Sequence, residues 1–392
     1  MGSEPGMAWN WCAHLAKYCE LHIITEGEFR HKIETLLPTL PHGSNMHFYY
    51  NPVSEEIRKM CWNQGDWRFY GHYRKWQYKT YEIAKEIVKK EKIDIIHQLN
   101  MIGFREPGYL WKIEGIPFVW GPLDAKEKFP TSYLKGASIK TKAFIHLKNV
   151  ITKLQLCYSS RVREAMKKAA VVISASSTSQ EAIEKYVKIS SPLINETGCY
   201  IQENLYKKKY YIGEFNVVWV GKLDFRKQLA LAIYSLALTK NYKIKLHIIG
   251  AGDKTKYLKL ADSLRVAEQC IWYGAIDYQE VQEIMRNSDL FFFTSVAEGT
   301  PHVVLEAMSN NLPILCFDTC GQGDIVNDEI GVKIKLSTSN QSIREFSSYL
   351  NYLCSNPELL KQMSNNCKKR QAELSWDTKA VSMLTIYQNY IQ

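Results

Sequence analysis

The chain has 392 residues, 46% hydrophobic and 23% charged, with a formal net charge of +10. That length suits two domains of roughly 200 residues or fewer, and the composition excludes a disordered or fibrous protein. No apolar run reaches the roughly 18 residues that span a bilayer, no secretory signal opens the sequence, and ten cysteines without a CxxC pair predict buried, reduced thiols.

In chain order, Gly2-Ser3-Glu4-Pro5-Gly6 reads as a glycine-containing loop directly before a helix over 9–18. A doubly wound domain normally places a central strand ahead of such a loop. None is present: either the start is misassigned or truncated, or the N-terminal domain lacks its first strand and should be poorly stable. Residues 20–25, 93–97, 118–120 and 171–174 read as buried strands, and 73–92 as a helix. Within 126–168 there are eleven Lys or Arg against two Glu, and Phe144, Leu147, Ile151 and Leu154 share one helical face. This stretch predicts either a helix packed on its own domain or a basic amphipathic surface for anionic lipid headgroups. Nucleic acid is not expected as a partner, because no zinc-finger spacing or RNA-recognition signature is present.

Periodicity is lost over 197–211, the expected linker. Beyond it, strands at 215–220, 243–249, 270–273, 289–296 and 313–317 alternate with helices such as 226–239 and 279–286. That alternation predicts an α/β fold with a parallel, doubly wound sheet. An amphipathic helix over 378–391 follows the point where this domain should be complete.

Two glutamates, Glu298 and Glu306, lie where the buried strand 289–296 gives way to a helix. Thr300 suits the N-cap and Pro301 the first helical position. The N–H groups from Gly299 through Thr300, Pro301 (which has none) and His302 to Val303 surround a helix N-terminus, which favours an anion. One carboxylate then lies near a bound phosphate ester and the other further along the same ligand, as a sugar nucleotide would require. Lys222 and Lys227 follow the first strand of this domain and can neutralise phosphate. His97 ends a buried strand, a place that serves a structural histidine equally well. No Asp-x-Asp and no His/Cys cluster of zinc spacing is present, so no metal is expected.

Gly221-Lys222-Leu223-Asp224-Phe225-Arg226-Lys227, Gly250-Ala251-Gly252, Tyr273-Gly274 and the Glu298-x7-Glu306 block through Pro313 resemble family 4 of the retaining glycosyltransferases. Gly2-Ser3-Glu4-Pro5-Gly6, Gly103-Phe104-Arg105-Glu106-Pro107-Gly108 and Trp120-Gly121-Pro122 resemble a bacterial branch of that family which builds surface polysaccharides. The resemblance implies GT-B architecture, with two Rossmann-like domains (1–198 and 199–375) facing a cleft and a C-terminal helix (376–392) crossing back. It implies retaining transfer of a sugar from a nucleotide-diphosphate donor to a lipid-linked or oligosaccharide acceptor, in the cytoplasm at the inner face of the membrane. Glu298, His97 and Lys227 are the catalytic candidates. Donor contacts fall to Lys222, Lys227, Gly2, Glu306, Gly274, Ile276 and the 299–303 turn; acceptor contacts fall to Glu4, Arg105 and Glu106. The family pattern has Arg at Lys222 and Gly at Gln228. These departures and the absent strand favour one alternative, a non-catalytic binding subunit of the same fold; among enzymes the alternative is a sugar-nucleotide epimerase, which the basic stretch makes less natural.

Overall fold

The computed structural model describes residues 3–62, 66, 68–125, 128–134, 136–201 and 213–391. The N-terminal half runs α1 (Ser3–Leu15), β1 (Leu21–Thr25), α2 (Arg30–Leu36), β2 (Met46–Tyr50), α3 (Glu55–Trp62), α4 (Phe69–Lys90), β3 (Ile96–Gln98), β4 (Phe118–Leu123), α5 (Ile139–Tyr158), α6 (Ser160–Lys168), β5 (Val171–Ser174) and α7 (Ser177–Tyr186). The C-terminal half runs β6 (Phe215–Val220), α8 (Leu229–Thr239), β7 (Ile244–Ile249), α9 (Thr255–Ser263), β8 (Cys270–Gly274), α10 (Tyr278–Asn287), β9 (Leu290–Phe293), α11 (His302–Ser309), β10 (Ile314–Asp318), α12 (Cys320–Ile325), β11 (Gly331–Lys335), α13 (Ser339–Cys354), α14 (Pro357–Glu373) and α15 (Trp376–Gln388). Among the described residues no helix is long and apolar enough to cross a membrane.

The apolar runs of the C-terminal half are continuous because its sheet is covered on both faces. Successive side chains of a strand point to opposite faces. Val217 and Trp219 of β6 and Phe292 of β9 therefore join α8 and α13 in one cluster, while Val218, Phe291 and Phe293 join α11 in another. All six strands are parallel, in the order β11-β10-β9-β6-β7-β8.

The N-terminal half is built differently. β1 pairs only with β2, and β3-β4-β5 form a separate parallel sheet. The two sheets share their cores: Leu21 packs with Ile95 and Leu99 on one face, and Ile24 packs against the cluster on the other. Asn51 N–H donates to Thr25 at 2.8 Å, so the alternate residues His22 and Ile24 turn their backbone groups away from β2. Ile96 N–H donates to Pro117 at 3.0 Å, so His97 turns its backbone away from β4. Among the described residues no backbone hydrogen bond crosses this seam, and no strand precedes α1.

The expected N-terminal loop is corrected. Glu4, Pro5 and Gly6 lie in the first turns of α1, which begins at Ser3 and ends at Leu15. Proline is tolerated there because the first four N–H groups of a helix have no internal acceptor. Gly2, the expected donor contact, lies outside the described residues, as does most of the expected linker.

Helix α15 and a strap are among the elements that join the halves. Helix α15 lies against α1, with the rings of Trp11 and Trp376 edge to face at 5.8 Å and His14 Nδ1 2.8 Å from the Asp377 carboxylate. Tyr387 of α15 donates its hydroxyl to His97 Nδ1 at 2.6 Å, while His97 Nε2 donates to the Gly121 carbonyl at 2.6 Å. A carbonyl can only accept, which fixes this neutral tautomer. A strap over 128–134 also inserts Phe129 and Tyr133 into the C-terminal core. The Tyr133 hydroxyl meets Ser342 Oγ at 2.7 Å and accepts from Ser337 N–H at 2.9 Å.

Tyr133→Phe leaves the buried Ser342 hydroxyl and the Ser337 N–H without this partner and should cost about 1–3 kcal/mol in urea denaturation; a loss within error would show that the hydroxyl's bonds contribute no stability. Burial pushes the His97 imidazole down to about 4 from 6.5, against a smaller upward pull from the Gly121 carbonyl. The unfolded chain therefore binds this proton first, and the stability given by neutral His97 is lost as pH falls from 6.5 through 4. The stability difference between wild type and His97→Gln should shrink by about 3 kcal/mol across that window. A flat difference would place His97 outside the core.

Candidate active site

Because β9 hydrogen-bonds to β6, the loops following these two strands meet above the centre of the sheet. In an open α/β sheet this switch of strand order opens the ligand crevice. The loop after β6 rests on the loop after β7: Gly221 N–H donates to Ile249 at 3.0 Å and Leu223 N–H to Ala251 at 2.9 Å. Gly250 permits this approach, since at φ +150° a Cβ would lie 1.8 Å from the Gly221 oxygen.

The Asp224 carboxylate accepts from Arg226 N–H at 2.9 Å and Lys227 N–H at 3.4 Å, folding Phe225–Lys227 into a tight turn. The helix expected from 226 therefore starts at Leu229. Thr294 Oγ1 donates to the Lys227 carbonyl at 2.8 Å and Val296 N–H to Arg226 at 3.1 Å, tying the turn to the end of β9. The Lys227 ammonium thereby reaches Glu298 Oε1 at 2.6 Å and lies 5.2 Å from the Phe293 ring centroid. Ser295 Oγ donates to the same carboxylate oxygen at 2.5 Å. Both members of the pair are largely shielded, at 15% and 18% exposure, so screening by salt is weaker than for a surface pair. Gln228 adopts the left-handed φ of +52°, which explains the glycine of the family pattern. Its amide donates to the Phe225 and Tyr133 carbonyls at 2.7 and 2.9 Å, linking this turn to the strap.

The turn after Glu298 departs from expectation. Pro301, not Thr300, occupies the N-cap position, and α11 starts at His302. Thr300 is held by Glu196, a buried residue that the sequence reading missed: its Oε1 accepts from Thr300 N–H at 2.7 Å and its Oε2 from the Thr300 hydroxyl. Thr300 N–H is thus committed, which leaves the N–H groups of Gly299, His302 and Val303 for the expected anion. Burial raises the Glu196 carboxyl above its ordinary range, with the Thr300 bonds opposing. His302 Nδ1 lies 3.3 Å from Thr197 Oγ1. Nearby, Asp324 accepts from Ser177 N–H at 3.0 Å at the start of α7 and from the Asn195 amide at 3.4 Å. Glu306 is half-buried on α11; burial raises its carboxyl, and the Gln282 amide reaches it at 3.5 Å.

The remaining candidates separate into two groups. Lys222 is exposed on the crevice loop, and Gly274, at φ +74°, ends β8 with Ile276 packed near α11. The others are engaged within the N-terminal half. Glu106 is buried and binds Arg74 at 2.9 Å and Arg161 at 2.6 Å. Arg105 donates to Gln155 at 2.9 Å and Thr152 at 2.7 Å on α5. These partners hold both side chains within the N-terminal half. His97 is bonded to Gly121 of the same half and to Tyr387 of α15. Glu4 accepts weakly from Ile102 N–H at 3.4 Å, and burial raises its carboxyl. Among the described residues no cluster of three or more His, Cys, Asp or Glu could hold a metal ion.

Residues 202–370 match the family model for glycosyl transferases group 1. The chain is 26% identical over 182 residues to the putative glycosyltransferase EpsD of Bacillus subtilis (strain 168), covering 45% of this chain and 46% of the relative. It is 33% identical over 143 residues to a lipopolysaccharide 1,6-galactosyltransferase of Salmonella typhimurium, covering 35% and 39%. The chain thus spans less than half the length of these curated relatives. The crystal structure of Anabaena HepE in complex with UDP superposes with a TM-score of 0.62 at 15% identity, over 99% of this chain and 98% of that one. By fold the chain is a GT-B protein, and over residues 202–370 it matches the group 1 glycosyl transferases.

Proposed function

We propose that the chain is a retaining glycosyltransferase of polysaccharide synthesis, acting in the cytoplasm and moving a sugar from a nucleotide-diphosphate donor to a lipid-linked or oligosaccharide glycan. The observation that carries this reading is the meeting of Lys227 and Glu298 at 2.6 Å, from the two central loops of the sheet. A donor in this crevice has its diphosphate within reach of Lys222 and Lys227 and of the N–H groups of Gly299, His302 and Val303. Its sugar lies by Glu298, its ribose hydroxyls by Glu306, and its base by Gly274 and Ile276. The bond between the anomeric carbon and the diphosphate oxygen breaks, and its electron pair leaves with the diphosphate. The acceptor hydroxyl oxygen bonds that carbon on the face just vacated and gives its proton to the departing phosphate oxygen. Lys227 stabilises the charge that develops, usually the largest catalytic contribution. Glu298 has two tasks: it holds the ammonium in place and accepts from the sugar hydroxyls. Support for a saccharide acceptor comes from the names of the relatives.

The non-catalytic reading draws on one observation, that Glu196 already occupies an N–H of the donor turn. Nucleotide binding with turnover separates the two. Thermal-shift titration with UDP-, GDP- and ADP-sugars should show stabilisation by one donor class, abolished in Glu306→Ala; no shift with any of them would favour the non-catalytic reading. Lys227→Ala and Glu298→Ala should each lower kcat by about 10²–10³, with melting curves showing that each variant is folded. Full activity in both would refute the site. Turnover should survive EDTA, and a strong loss would overturn the absence of a metal role.

A further inference from the structure

The C-terminal two-thirds of α5 shows a contradiction of ordinary helix packing. Phe144, Leu147, Ile151, Leu154 and Tyr158 recur at spacings of three and four, with Val150 beside them, and so form one stripe. Such a stripe normally faces the core. Here Ile145, Thr152 and Leu156, on the opposite side, are the buried residues, and the six stripe residues are 42–77% exposed. The helix therefore presents two apolar faces, one used by the protein and one directed away from it.

The charges around the outward face indicate what covers it. Helix α5 carries Lys140, Lys142, Lys148 and Lys153 and no Asp or Glu. Helical periodicity puts Lys148 roughly 100° to one side of Leu147, and Lys153 and Lys142 roughly 120–140° to the other. Arg163, Lys167 and Lys168 of α6 extend the positive field, against the single Glu164. A second copy of this helix laid on the stripe would bring lysines together with no carboxylate to neutralise them. An apolar stripe with lysine shoulders suits a helix lying in the plane of an anionic bilayer surface, its side chains in the acyl boundary and its ammonium groups among the phosphates.

The inner face of α5 ties this surface to the crevice. Asn149 exchanges two hydrogen bonds with Phe129, at 2.9 and 3.0 Å. Phe129 begins the strap whose Tyr133 carbonyl binds Gln228, next to Lys227. We propose that the outward face of α5 is the membrane-docking surface of this protein, specific for bilayers with anionic phospholipid, and that docking sets the crevice beside the bilayer. This binding is independent of the glycosyltransferase reading, because it requires neither donor nor turnover.

The test is flotation of the whole chain with vesicles of phosphatidylcholine, alone or with a quarter phosphatidylglycerol. Wild type should float with the anionic vesicles, and less at high salt. Leu147→Glu with Leu154→Glu should cut the bound fraction about tenfold or more, since two leucines leave the acyl boundary. Lys142→Gln with Lys153→Gln, which leaves the apolar stripe intact, should weaken binding to the anionic vesicles only. Melting curves establish that each variant is folded. Equal flotation of wild type and all variants overturns the proposal. So does a lipid-free dimer that Leu147→Glu dissociates, with no vesicle binding, which assigns the stripe to a second copy.

Discussion

Strand β9 takes its hydrogen bonds from β6 and β10, although β8 precedes it in the chain. That single reversal of strand order opens the space above the sheet. On one side of it the β6 loop brings Lys227, and on the other the β9 loop brings Glu298. Neither side chain could be fixed alone. The lysine turn is folded by Asp224 and pinned by Thr294 and Val296, so each wall of the crevice is braced by the other. The rest of the site is arranged around this crossing.

The two halves of the molecule are joined by groups that a ligand crevice could also use. Glu196, just before the linker, holds the Thr300 turn of the C-terminal half; Asp324 of that half caps the start of α7 in the other. Each carboxylate serves the N–H groups of the opposite side, where helix and turn dipoles favour negative charge. Lys379 of α15 reaches the Asn195 carbonyl at 3.2 Å, placing a cation beside both. The chain segments at Cys199 and Leu374–Trp376 are paired by backbone hydrogen bonds where they run side by side, and Gly198 passes so close to Trp376 that a Cβ would lie 2.9 Å from its ring. Relative movement of the halves must therefore disturb the Thr300 turn itself.

The C-terminal sheet was legible because a sheet buried on both faces leaves continuous apolar runs, and Leu290–Phe293 is such a run. The places of Lys227 and Glu298 were legible because each follows a buried strand, and the structure brings the two side chains together at 2.6 Å. What failed did so at long range. Thr300 has the chemistry of a helix cap, but a carboxylate 104 residues away binds it first. Glu106 and Arg105 resemble free loop charges until Arg74, Arg161 and α5 are brought beside them. Strand β2 went unread because its Met-His-Phe-Tyr-Tyr pattern lies half-exposed, without a clean alternation. The stripe on α5 was visible as periodicity, yet periodicity does not say which of two faces looks inward. Glu196 had no motif to mark it; its only local signal was a carboxylate between Asn195 and Thr197 ahead of a glycine.

The seam in the N-terminal half has a consequence for how that half comes apart. A sheet normally transmits cooperativity through its ladder, each strand protecting the next. Here, among the described residues, β1 and β2 meet β3-β4-β5 through side-chain packing and not through a backbone ladder. Side-chain contacts can be released one cluster at a time, without breaking a row of backbone bonds. Residues 21–50 can thus give up their contacts with β3-β4-β5 without breaking a backbone ladder, even though the two sheets share apolar clusters.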